Sequence, residues 1–170
     1  MKYKYNFIFI LLSAFIFICL HLLSPSWLKI MGSGPAWYLI WLLPWSIQKG
    51  QYRSCIAAFS MGLICDSLTI DTVSNMPGLL ILSFCYSRLG KKRTADPKAL
   101  DFAVICWISS ICFGLSLWIQ QLLFQLDVVY PTYNIWAVKY IFSQALITSI
   151  LAILLCPLLF IFFKRFDKSY

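Results

Sequence analysis

"MGLICDSLTID", residues 61–71, places Asp66 near the end of an apolar run, in a chain of 170 residues that has six acidic side chains and no glutamate. What the carboxylate can do there depends on what the run is. Stepping back from it by fours gives Gly62, Ala58 and Ser54, and residues four apart share one face of a helix. Small side chains on one face let two helix backbones approach closely in lipid, where packing drives association because apolar side chains gain nothing by avoiding the tails. The stretch therefore reads as a membrane helix whose small-residue seam ends in an acid.

Composition extends that reading to the whole chain. Hydrophobic residues make up 61% and charged residues only 12%, against roughly a quarter charged in soluble proteins. Apolar runs recur throughout, which leaves a single integral membrane domain, residues 1–170, and no room for a soluble one. The net charge of +8 does not point to nucleic acid, because the basic residues gather between apolar runs, where they orient helices and meet anionic headgroups. The seven cysteines lie in or beside apolar runs without any C-x-x-C pair, as small packing residues do. Lys2 and Lys4 followed by an apolar run imitate a signal sequence, but no small-x-small cleavage site follows, so this segment is expected to remain as a first helix.

Six apolar segments can be drawn, at 7–23, 35–47, 54–68, 76–89, 102–126 and 137–163. The fold expected is all-α: a bundle of six transmembrane helices with both termini cytoplasmic. At about 1.5 Å per residue the second and third segments reach only about 20–23 Å, short of a hydrocarbon core of roughly 30 Å. They either draw on their polar flanks or form a re-entrant hairpin. Six spans put twelve of the fourteen basic residues inside and leave only Lys29 and Lys139 outside, a strong positive-inside bias; a hairpin would give ten against four. The basic segment 88–101, "RLGKKRTADPK" within it, is the main cytoplasmic loop, suited to topology and anionic lipid or to a cytoplasmic partner.

Asp66 has two readings. It closes its helix through Ser67, Thr69 or a backbone amide of the turn, or it is a buried polar anchor that holds the third helix to a neighbour or to a partner's helix. Trp37, Trp41 and Trp45 form a second stripe, serving internal packing and interfacial belting or an exposed docking face. Pro35 is expected in the first helical turn, and Pro44 and Pro157 to bend their helices. Cys106, Ser110 and Gly114 in the fifth segment, and Gln144, Thr148, Ala152 and Cys156 in the sixth, look like seams inside the bundle. Gln120, Gln121 and Gln125 gather at the outer end of the fifth, for interfacial hydrogen bonds or a small polar cavity.

Catalysis finds little support. His21 is the sole histidine, and it comes with no H-E-x-x-H motif, no serine elbow and no acid at matching spacing. Asp66 and Asp71 are poorly placed for a facing pair. No phosphate-cradling glycine loop occurs, and no cofactor or metal is expected.

Gly62-Leu63-Ile64-Cys65-Asp66-Ser67-Leu68 resembles the G-L-x-x-D-x-L signature of the bacterial rod shape-determining protein MreD family. The layout is similar over most of the chain, with the specific residues confined to about 35–90: Pro35 opening the second helix, Ser54 and Ala58 before the glycine, and a basic loop after the fourth helix. Family members often carry a glycine soon after the acid; here Thr69–Asn75 intervenes and the nearest is Gly78, after Pro77. The resemblance implies a non-enzymatic subunit of the cell-elongation machinery in the bacterial inner membrane. It also implies partners: the single-span protein MreC and, through it, the peptidoglycan synthases and the actin-like MreB filament. Candidate contacts, for a partner or for helix packing, are Ser54, Ala58, Gly62 and Asp66 with Trp37, Trp41 and Trp45. The helix layout is similar also to the substrate-binding S components of energy-coupling factor vitamin transporters, the alternative function. Such a component should carry an A-x-x-x-A motif in its first helix, where this chain offers only Ser13 and Ala14 among bulky residues.

Overall fold

A glycine decides where the second apolar segment stops and the third begins. Gly50 has φ +77° and ψ 172°, a conformation open essentially to glycine alone, and it is the single residue between α2 (Trp37–Lys49) and α3 (Gln51–Leu68). This computed structural model describes residues 2–23, 28–29, 32–68, 74–92, 97–124 and 131–167. Among them the other helices are α1 (Lys2–Leu23), α4 (Met76–Lys92), α5 (Ala99–Phe124) and α6 (Pro131–Asp167).

All six expected helices are present, with shifted ends. α2 starts after Pro35, which lies outside the first turn; Ala36 takes the N-cap position. Its backbone N–H is satisfied by the Thr148 hydroxyl of α6, 3.0 Å away. α3 begins three residues earlier than expected and has 18 residues, about 27 Å of rise, so only α2, with 13 residues, is markedly short. α6 runs to 37 residues with Pro157 inside it, because its polar N-terminal sequence continues the helix that the apolar pattern alone would start later. α5 is started by Asp101, whose carboxylate accepts the Lys98 backbone N–H at 3.0 Å, the N3-to-N-cap half of a capping box.

α2 is the axis of the bundle. Nine of its thirteen residues are buried, and α1, α3, α4, α5 and α6 all pack on it. Around that axis α3 pairs with α4 and α5 with α6, the last being the most extensive pairing. Gly114 permits the α5–α6 approach, since a Cβ there would stand 2.8 Å from two Ile141 side-chain carbons. Cys106 and Cys156 meet across the same seam with sulfurs 4.0 Å apart. Pro44 lacks the N–H that would bond the Ile40 carbonyl, and that carbonyl accepts the Cys156 thiol at 3.5 Å.

Polarity is arranged as lipid requires. Ser46, Ser54, Ser83, Ser87, Ser109, Ser110 and Thr148 are buried, while Ile81, Leu123, Ile150, Leu154 and Ile161 are exposed on the perimeter. Most of these hydroxyls bond within their own helix, as Ser83 does to the Leu80 carbonyl and Ser109 to the Ile105 carbonyl. Among the described residues two helical stretches, Ala99–Leu123 and Val138–Arg165, are long and apolar enough to cross a membrane. Successive helices alternate in direction, since Asp66 of α3 meets the start of α4 and Gln48 at the end of α2 meets Phe160 near the end of α6. That alternation places Lys49, Arg53, Arg88, Lys98, Lys164 and Arg165 at one end of the bundle and Lys29 and Lys139 at the other.

Candidate functional site

Asp66 stands in the last turn of α3, two residues before its end, and binds the chain where it enters α4. Its Oδ1 accepts the backbone N–H of Asn75 and the Asn75 side-chain amide, both at 2.8 Å, and its Oδ2 accepts the Ser74 hydroxyl at 2.6 Å. The Ser74 oxygen accepts in turn from the Met76 backbone N–H at 3.3 Å. The acid thus gathers the orphan donors of the α4 N-terminus, where a negative charge is also favoured by the helix dipole. α5 joins the same cluster, for the Gln120 side-chain oxygen accepts the Ser74 backbone N–H at 3.2 Å.

Asp66 is half-buried, and its contacts join the two readings: it accepts a backbone amide beside the turn, and in doing so it holds α3 to α4. Of the side chains named for turn closure, Ser67 is not a partner of Asp66. Ser67 instead bonds the Ile64 carbonyl at 2.9 Å, and Thr69 and Asp71 lie outside the described residues, as does Gln125.

The rest of the small stripe faces the same way. Ser54, Ala58 and Gly62 are buried. A Cβ at Gly62 would stand 3.0 Å from the Met76 Cα and 2.9 Å from its Cγ, so the glycine is what lets α4 begin so close to α3. Ser54 ties the other end of α3 down: its hydroxyl donates to the Gly50 carbonyl at 2.6 Å, with the Ser46 carbonyl at 3.3 Å. The four residues form a seam inside the chain. The opposite face of α3, with Tyr52, Ile56, Phe59 and Leu63, is the exposed one.

The tryptophan stripe also points inward. Trp37 and Trp41 are 5% and 2% exposed, which leaves neither indole a face to offer another protein in this fold. Trp41 donates its N–H to the Ser13 hydroxyl of α1 at 3.0 Å. It stacks on Trp45 at 5.5 Å between centroids, and Phe163 of α6 meets both edge-on. Trp45 is partly buried, with the Lys49 ammonium 5.7 Å from its ring centroid.

Sequence reasoning missed three of these features. Ser74 and Asn75 were not named as partners of Asp66, although an Asn before "MP" is a helix-start signal. The Ser13–Trp41 bond has no local signature. Nor does the contact between Gly90 of α4 and the Ile47 carbonyl of α2, which a Cβ at position 90 would overlap. Among the described residues no group of three or more His, Cys, Asp or Glu is placed to hold a metal ion.

The family comparison draws these elements together. The family model described as MreD, rod shape-determining protein MreD, matches residues 1–166. No curated protein and no solved structure matches the chain.

Proposed function

The chain belongs to the MreD family of rod shape-determining proteins, a family of bacterial membrane proteins that act in cell shape, and from that membership we propose a specific role for it. It is a non-enzymatic scaffold of the cell-elongation machinery in the inner membrane. Its six helices all span, and both termini face the cytoplasm. It binds an MreC-like single-span protein and, through it, the peptidoglycan synthases and the MreB filament; the basic segment between α4 and α5 meets anionic lipid.

The observation that carries this reading is a family match over nearly the whole chain, residues 1–166. The geometry supports it in kind. The cluster around Asp66 is occupied in bracing helices, as befits a rigid framework. The transporter alternative has less support, because Ser13 bonds Trp41 and Ala14 packs on the core, so the small residues of α1 face inward. For a partner helix the sequence nominated the stripe from Ser54 to Asp66; with that stripe closed by α4, the contact passes to surfaces it braces.

The test is gentle purification of the tagged full-length protein from its native membrane, with identification of everything that accompanies it. Enrichment of the MreC-like protein with wall synthases over a mock purification is expected. A tightly held vitamin together with an ATPase module would overturn the scaffold.

A further inference from the structure

At the bundle end opposite the basic cluster, α1 and α6 do not close on each other. A recess of about 180 Å³ opens there, lined by His21, Lys29, Gly32, Gly34, Tyr140 and Gln144 among others. It is separate from the Asp66 cluster, and packing does not account for its chemistry. Gln144, only 7% exposed, lines the recess, and His21, also in its lining, keeps a buried Nδ1 with no hydrogen-bond partner among the described residues. A buried ring nitrogen without a partner costs about 1–3 kcal/mol, so the site is complete only when something polar enters it. Lys29 supplies a positive charge and Tyr140 a hydroxyl at the rim, and no carboxylate is part of the lining. The wall at Gly32 is bare: a Cβ there would meet no atom within 4 Å.

We propose that this recess binds a phosphate-bearing anion, with Lys29 and Tyr140 on the phosphate and the Gln144 amide on its polar substituent. Its volume, equal to about six water molecules at roughly 30 Å³ each, suits a phosphate group with a small polar substituent. The anion can be the headgroup of an anionic phospholipid, since Leu22, Leu23 and Phe142, adjacent in sequence to the lining residues, are exposed apolar side chains. It can equally be a soluble phosphate ester. Both place the same group on the same residues.

The experiment uses the full-length chain, delipidated in a non-ionic detergent, with the thermal midpoint as readout. It is titrated separately with phosphatidylglycerol, phosphatidylcholine and glycerol 3-phosphate. Each titration is repeated on Lys29→Ala and Gln144→Ala, with Lys98→Ala as a control at the other end of the bundle. A saturable rise with phosphatidylglycerol, absent with phosphatidylcholine and weakened at least fivefold by Lys29→Ala but not by Lys98→Ala, is expected and assigns a lipid headgroup. The same dependence with glycerol 3-phosphate assigns a soluble ester. Lys29 is exposed and its loss leaves packing intact, so the result stands even where Gln144→Ala lowers basal stability. No rise with either phosphate, or a rise equal in wild type and Lys29→Ala, overturns the proposal.

Discussion

Asp66 accepts three hydrogen bonds from Ser74 and Asn75, so its side chain is worth more to the fold than its position near a helix end implies. Asp66→Leu strands those donors and should cost about 1–3 kcal/mol; Asp66→Asn, which keeps one acceptor oxygen, should cost less. Hydrogen exchange at the Asn75 amide checks this directly, and exchange should be fastest in the leucine variant. Gly62→Leu acts by volume, because its branch would enter the space of Met76, and overpacking of this kind costs about 1–3 kcal/mol. Its thermal midpoint in detergent should fall. That the acid sits at the end of a small-residue seam was legible from spacing by fours. Its partners were not, because they lie eight and nine residues on, beyond the reach of helical periodicity.

At the scale of the element, Gly50 bears the most. Gly50→Ala puts a side chain into a conformation that only glycine adopts easily, at a cost on the order of 1–3 kcal/mol, and should lower the thermal midpoint although a Cβ there would meet no atom within 4 Å. The α5–α6 register is open to chemical test as well. With Cys106 and Cys156 sulfurs 4.0 Å apart, oxidation of membranes with copper phenanthroline should join these two positions within one chain. Mass spectrometry of the digest should find that linked peptide and should lose it in Cys156→Ala. Helix order was readable because apolar runs are separated by polar ones. Helix ends were less so, for α3 and α6 extend through polar residues that hydropathy assigns to loops. The tryptophan stripe shows a further limit: periodicity says that Trp37, Trp41 and Trp45 share a face, but what covers that face is decided by Ser13 and Phe163, on helices far away in sequence.

Over the whole molecule, the buried hydroxyls and the apolar perimeter describe a body solvated by lipid, with a short α2 at its axis. Its charge is as unequal as its packing is regular. Lys49, Arg53, Arg88, Lys98, Lys164 and Arg165 share one end with Lys29 and Lys139 opposite, the distribution that the positive-inside rule assigns to the cytoplasm and the exterior. The scaffold account depends on that orientation, since it decides which end meets the wall-building partners. Single substitutions Lys49→Cys, Lys98→Cys, Lys29→Cys and Lys139→Cys, treated in intact cells with a membrane-impermeant maleimide and compared with the unsubstituted chain, test it most directly. Labelling at positions 29 and 139 and none above background at 49 and 98 is the expected result. Labelling of position 49 or 98 from outside the cell would contradict the six-span scaffold.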